Sequence, residues 1–249
     1  MINPKKNNNK SNEDIIEFSP RLLWFITLTY SMASLLSNWF IICTISLGGL
    51  TLNAGLLIFP IIFLLSNLIT EIYGYKHARR AAWCALLFNV FFILYGLCVI
   101  YMPYPSYSKN NPLFDIVIIT YLKSVFTSVI SYFIAESFNL FFIAKLKLGM
   151  NGYHIKLRFL LTSSVSLIIS GIVFSLIKIY SPLISTELPP IILFAGITLI
   201  IGLSVAVYLT EKIKQLEKMD IYDTNTQFNL FSLEVNYTYD DNKFGNNSQ

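Results

Sequence analysis

The chain reads as an all-α, polytopic membrane protein with six transmembrane helices and both termini in the cytoplasm. Three observations lead there. Of its 249 residues 55% are hydrophobic and only 13% charged, with a mean hydropathy of +0.60. A soluble domain carries roughly a quarter charged residues. Long stretches hold no Asp, Glu, Lys or Arg at all, namely 22–70, 81–108, 159–177 and 188–210. A membrane-crossing helix needs ~20 mostly apolar residues, and several such lengths are present. Finally, the basic residues sort to one side of the implied membrane. Together these exclude a soluble globule. They also exclude an outer-membrane barrel, whose segments alternate polar and apolar and run only ~10 residues.

Residues 1–21 are polar, Asn-rich and of mixed charge, and are expected to form a disordered N-terminal tail. The apolar stretch that follows is too long for a signal-peptide core and lacks a small-residue cleavage site, so it is expected to persist as a helix. Its length suffices for two spans. Gly48, Gly49 and Asn53 supply the break, because glycine favours turns and weakens helices. Helix 1 is placed near 22–45 and helix 2 near 54–72. Helix 3 follows at 81–102, stopped by Met102-Pro103-Tyr104-Pro105. Helix 4 is placed at 124–144, helix 5 at 159–179 and helix 6 at 190–210, after Pro189-Pro190. The short apolar segment 113–122 either lies at the interface or extends helix 4. The transport domain is thus taken as 22–210, with a polar cytoplasmic tail over 211–249.

An even number of spans puts both ends on one side, and of 18 Lys and Arg residues 15 then fall there. Basic residues favour the cytoplasmic face, so this side is read as inside and the membrane as the inner (plasma) membrane. No basic run carries interleaved aromatics, which argues against a nucleic-acid partner. Cys43, Cys84 and Cys98 lack metal or redox spacing and are read as small buried hydrophobes. His77 and His154 stand apart without ligand-like neighbours, and no serine has a base within a nucleophile motif. No catalytic residue, metal site or cofactor is expected.

The informative residues are those that hydrocarbon should not tolerate. An ionisable group in a span costs about 2.5–3.5 kcal/mol on insertion scales and survives by facing protein or water. Glu136 is the clearest case in helix 4. At ~100° per residue Ser124, Ser128, Ser131, Ala135 and Asn139 share one arc, and Glu136 lies just beyond it. Such a small, polar face also serves plain helix packing. On helix 2, Pro60, Asn67 and Glu71 share a face. Proline frees a carbonyl and often bends a helix around a site. Glu71, near the Lys76/Arg79/Arg80 group, reads either as a site carboxylate or as a helix-end charge paired with Arg. Helix 1 presents Thr27, Ser31, Ser34 and Asn38, and helix 5 presents Thr162, Ser166 and Ser170. Convergence of these stripes would make a cavity of amides, hydroxyls and carboxylates, suited to a small planar solute with several donors and acceptors. Trp39 or Phe59 would stack on its ring.

One segment carries a resemblance. Residues 48–83 read GGLTLNAGLLIFPIIFLLSNLITEIYGYKHARRAAW, in which IFP precedes EIYG-x-K-x-A-R. With Ser37-Asn38 upstream, FIAESFNLFFIAKLK and Arg158 further on, and IYDTNTQFNLF near the end, this resembles the queuosine-precursor transporter family. These are six-helix inner-membrane proteins, once grouped as vitamin uptake transporters. The likeness spans about residues 30–230 and is most specific in the helix 2–3 motif. It implies import of a 7-deazaguanine base for tRNA modification. Aligned this way, Asn38 and Glu71 match the family. Asn67 and Asn139 stand where it usually has Asp, Glu136 where it has Gln, and Leu167 and Ser170 where it has Gln and Asp. Exchanging Asp for Asn replaces an acceptor-only anion with a neutral donor and acceptor, so the solute preference is expected to differ.

The sequence therefore points to a non-enzymatic importer of a queuosine precursor or a related nucleobase-like solute. Its substrate-binding residues are expected to be Asn38, Asn67, Glu71, Glu136, Asn139, Ser166 and Ser170. The alternative is the substrate-capture subunit of an energy-coupling-factor vitamin importer. Expected partners are a deazapurine-like small molecule and the lipid bilayer. The reading is compatible with a homo-oligomer or with energising partner subunits.

Overall fold

In a computed structural model the chain is described at residues 20–47, 50–105, 107, 111–177, 188–223 and 227–228. Among these residues six α-helices follow one another: α1 (Leu23–Trp39), α2 (Phe59–Tyr73), α3 (Tyr75–Ile100), α4 (Asn111–Gly149), α5 (Ile155–Ile177) and α6 (Leu188–Glu217). Five helical stretches among the described residues are long and apolar enough to cross a membrane: Leu23–Ile42, Ala54–Tyr73, Tyr75–Ile100, Asn111–Gly149 and Ile155–Phe174. The sixth helix contains the charge-free run 188–210.

Helix α2 is the axle of the bundle. It touches each of the other five helices, and 12 of its 15 residues are buried. Its sequence explains this, because Ser66, Asn67, Thr70 and Glu71 on a membrane-spanning helix must face protein or water rather than lipid. The outer helices show the complementary pattern. Trp24, Phe25 and Leu28 of α1, Leu87, Phe91 and Leu94 of α3, and Ile168, Ile172 and Leu176 of α5 all face outward. A soluble monomer rarely exposes such continuous apolar surface, whereas lipid covers it without cost.

Several expectations shift in detail. Helix 1 does not reach residue 45. It ends at Trp39, and after a short 3-10 turn at Phe40–Ile42 the chain forms an antiparallel hairpin, β1 (Thr44–Leu47) with β2 (Leu50–Asn53). The register pairs Leu47 with Leu50, and Gly48 and Gly49 fall between them in the sequence. Those two glycines lie outside the described residues. Helix 3 begins at Tyr75 rather than 81 and helix 6 runs to Glu217 rather than 210, because hydropathy finds only the apolar slab and not the polar turns beyond it. Segment 113–122 extends helix 4, which at 39 residues is about 58 Å long by its ~1.5 Å rise. Pro60 does not bend α2. It sits in the first turn, where its missing N–H removes nothing. Cys43, Cys84 and Cys98 are exposed, not buried. Cys84 and Cys98 belong to the outer side of α3, where an uncharged thiol is compatible with lipid. The expected N-terminal tail lies outside the described residues apart from Pro20 and Arg21, as does most of the C-terminal one.

The reversal from α2 to α3 uses a single residue. Gly74 has φ of 85°, left-handed backbone that only glycine adopts without strain. Leu22 N donates to Glu217 Oε1 at 2.6 Å, so the start of α1 and the end of α6 meet at one end of the bundle. This end also holds the α2–α3 and α4–α5 turns and most of the basic residues; it is called the basic end below, and the opposite one the hairpin end.

Candidate functional site

Among the described residues, two polar regions lie along α2 inside the bundle, one turn apart. The first is built from uncharged amides and hydroxyls. Asn67 of α2 donates through Nδ2 to Thr162 Oγ1 at 3.2 Å and Ser163 Oγ at 2.9 Å on α5. Asn139 of α4 donates through Nδ2 to Asn67 Oδ1 and to Ser66 Oγ, both at 2.9 Å. Asn67 and Asn139 are wholly buried. Three helices are thus tied together at the depth where backbone polarity is already satisfied and side-chain polarity is costly.

Glu136 lies one turn before Asn139 on α4 and is also wholly buried. The hydroxyls of Ser66, Tyr30 and Tyr132 are near enough to interact with its carboxyl, but none meets either oxygen with hydrogen-bond geometry. Their protons, however, are largely engaged elsewhere. Ser66 Oγ donates to Phe63 O at 2.9 Å, and Tyr30 and Tyr132 bond to each other. Neither Glu136 oxygen makes a hydrogen bond among the described residues, nor does Asn139 Oδ1 or the buried Ser166 Oγ of α5. Unsatisfied buried acceptors are uncommon, because each forgoes about 1–3 kcal/mol of solvation. Phe59 packs edge-on against Tyr132 with centroids 5.6 Å apart, which puts an aromatic face beside this group.

The second region, at the basic end, is an ion-pair network. Glu71 Oε1 lies 2.9 Å from Arg158 Nη2, 2.7 Å from Lys214 Nζ and 3.9 Å from Lys147 Nζ. Asp220 Oδ1 bridges Lys147 at 2.6 Å and Lys214 at 2.7 Å. Lys147 places all three of its donors: besides Asp220 it reaches Glu71 O at 2.6 Å and Ile221 O at 2.7 Å. It also lies 4.4 Å from the centroid of the Tyr222 ring. The strap 218–223 is thereby held across the ends of α2 and α4. Ile221 N donates to Ile72 O at 3.3 Å, and Asp223 caps α3 by accepting from Tyr75 N at 2.6 Å, a favourable place for an anion. Gly152, with φ of 80°, lies so close to the Tyr222 hydroxyl that a β-carbon there would collide with it.

The structure therefore sorts the residues singled out from the sequence. Asn67, Glu136 and Asn139 come together, with Ser166 and Ser170 buried on the neighbouring α5. Glu71 is one turn of α2 further on and is bonded to cations, though to Arg158, Lys147 and Lys214 rather than through the Lys76/Arg79/Arg80 group. Asn38 does not join the cluster. Its Nδ2 donates to Asn89 Oδ1 on α3 at 2.8 Å, and its neighbour Ser37 bonds Gly55 O near the hairpin end. Trp39 packs on Phe92 and Tyr121 with centroids 5.4 and 5.2 Å apart, away from Glu136. Ser131 spends its hydroxyl on Thr127 O of its own helix, a common way to satisfy a serine in an apolar span. Tyr30, Tyr132, Asn89, Lys147, Arg158, Lys214 and Asp220 had not been singled out as site residues. Arg158 was findable, since it begins the i, i+4 series that continues through Thr162, Ser166 and Ser170.

A bundle with a lipid-facing exterior and a polar, partly unsatisfied interior is that of a multi-pass membrane protein. Its family is specific: the model described as "Putative vitamin uptake transporter" matches residues 53–216, well over half of the chain, and the chain belongs to that family. No curated protein and no solved structure matches it.

Proposed function

We propose that the protein imports a queuosine precursor, a 7-deazaguanine base, or a closely related nucleobase-like solute across the inner membrane. The carrying observation is the group of unpartnered acceptors on α4 and α5: both Glu136 oxygens, Asn139 Oδ1 and Ser166 Oγ. A flat heterocycle with several N–H donors satisfies such a set, and Phe59 and Tyr132 supply apolar ring faces. Among the residues proposed from the sequence, Asn67, Glu136, Asn139 and Ser166 then contact the solute. Ser170 extends the polar face of α5, and Glu71 and Asn38 hold the walls in place. Both chain ends are assigned to the cytoplasm on the excess of Lys and Arg at the basic end.

The test is salvage. Cells lacking both queuosine-precursor synthesis and their own importer are given this gene and supplied with a 7-deazaguanine. Incorporation of the base into tRNA is expected with the intact chain and is expected to fail with Asn139→Leu. No incorporation by the intact, membrane-inserted protein would refute the assignment of the solute.

A further inference from the structure

Of the wholly buried carboxyl groups on α2 and α4, Glu71 is ringed by cations and Glu136 has none. A carboxylate needs donors or a cation to remain charged where water is excluded, because the desolvation cost of a lone buried charge runs to several kcal/mol. The groups facing Glu136 are the hydroxyls of Tyr30 on α1, Ser66 on α2 and Tyr132 on its own helix. The buried charged groups of the helices packed there, Glu71, Lys147 and Arg158, belong to the network at the basic end. On α3 the ionisable groups Lys76, His77, Arg79 and Arg80 cluster in its first two turns. Ser66 has already given its proton to Phe63 O. The tyrosine pair has two hydroxyl protons, one of which is used between the rings. At most one donor is therefore left for a carboxyl with two oxygens.

We propose that Glu136 is a neutral carboxylic acid in the empty site that is ready to load, that the solute binds only this protonated form, and that the acid ionises on the releasing side and returns without its proton, so that transport is proton-coupled. A neutral acid offers one donor and one acceptor side by side. That pattern matches the –CO–NH– lactam edge of a 7-deazaguanine, with acid O–H donating to the ring carbonyl and ring N–H donating to the acid carbonyl. The remaining tyrosine hydroxyl can donate to the same acid carbonyl oxygen. The proton enters from the solution on the loading side, resides on a Glu136 oxygen, and leaves from that oxygen on the releasing side. No other bond is made or broken. The identity of the base rests on the function proposed above; the presence of the proton does not.

Two measurements test this. In the first, protein in lipid vesicles is titrated by infrared spectroscopy, reading the C=O stretch of undissociated carboxylic acid. At neutral pH the wild type is expected to show a band that Glu136→Gln lacks. Tyr132→Phe, which removes one hydroxyl from the surrounding group, is expected to shift its frequency and supplies the assignment should the glutamine variant not fold. A wild-type spectrum without any such band would overturn the proposal. In the second, 7-deazaguanine binding is measured against pH. Wild-type affinity should fall ~10-fold per pH unit once the acid ionises, as one linked proton requires. Glu136→Gln, which keeps one donor and one acceptor, should bind with no pH dependence, and Glu136→Ala should lose binding. Affinity independent of pH in the wild type, or a glutamine variant as inactive as the alanine one, would overturn the coupling. Failure of 7-deazaguanine to bind at any pH would refute the solute and the co-binding together, while the infrared titration would still decide whether Glu136 holds a proton.

Discussion

Glu71 and Glu136 are both wholly buried, on helices packed together, yet their surroundings are opposite. Glu71 has three cations within 4 Å, and Asp220 shares two of them. Glu136 has hydroxyl neighbours and no hydrogen bond among the described residues. The first arrangement fixes geometry: charges in low dielectric are held by partners whose removal is costly. The network leaves Glu71 Oε2, Arg158 Nε and Arg158 Nη1 unpartnered among the described residues, but the second arrangement leaves both oxygens of one carboxyl so, which is what a site that must accept and release a guest requires. The network at the basic end also joins α2, α4, α5 and α6 to the strap 218–223, closing the bundle beneath the amide cluster. A charge can thus serve as a rivet at one end of the bundle, while a carboxyl on a neighbouring helix stays available.

The largest expected effect comes from removing the rivet. Glu71→Ala leaves Arg158 without its carboxylate partner and Lys147 and Lys214 sharing Asp220, and should cost about 3–5 kcal/mol, the usual penalty for stranding buried charge. Thermal unfolding in detergent would register it. Glu136→Gln, which strands nothing if the acid is neutral, should leave the melting temperature almost unchanged. Equal losses for the two variants would erase the distinction between them. Next in size is Asp220→Asn, which weakens contacts to both lysines; hydrogen bonds involving a charged group are worth about 1.5–3 kcal/mol. The expected readout is local, namely faster proteolysis within the strap 218–223 with little change in the rest of the bundle. A uniform loss of protection would show that the strap is not a separable piece.

The contrast between the two carboxyls was only half legible in the sequence. The spans were readable because bilayer thickness imposes a length that charge-free runs betray directly. The hairpin at 44–53 was not, since its apolar residues are invisible against a hydropathy window already saturated by the helices on either side. Asn67, Glu136 and Asn139 could be found as polar groups in apolar spans. The partner of Asn38 could not, because Asn89 is far along the chain and the choice between α3 and α4 is made by packing. Arg158 and Lys147 read as loop charges, but they sit in the first turn of α5 and the last turn of α4. Only the fold turns them inward onto Glu71. Asp220 lies in a stretch whose composition resembles a tail, and nothing local announces that Lys147 will reach it.

A smaller effect tests whether the Asn38–Asn89 pair is a wall element rather than part of the site. Asn89 Nδ2 donates to Ala85 O at 2.8 Å and to Ser34 Oγ at 3.3 Å, while its Oδ1 accepts from Asn38. Asn89→Ala leaves Asn38 Nδ2 unpaired in a buried position, for about 1–2 kcal/mol. Stability should fall by that much with solute affinity unchanged; a selective loss of affinity would move the pair into the site.

The smallest expected effect, a flat response, is the sharpest discriminator. At Asp220 burial opposes the charge, but the Lys147 and Lys214 ammonium groups outweigh it and hold the carboxyl below its ordinary value of 3.8. A depressed folded value means that the ionised form favours the closed strap. This contribution is complete above the ordinary value and is lost only as pH falls through the lower, folded one. Tyr222 is pushed the other way, to about 12 from 10.0, first by burial and then by the charges of Asp220 and Glu71. Its neutral form is the one that fits, so its contribution is complete below 10.0 and fades as pH rises through about 12. On these two groups alone, protease protection of the strap should be constant between roughly pH 5 and pH 9, whereas binding that depends on the Glu136 proton changes wherever that acid ionises. Both responses can be followed in one preparation. If the strap loosens inside that interval, Asp220 and Tyr222 are not what holds it, and a pH effect on binding can no longer be credited to Glu136 alone.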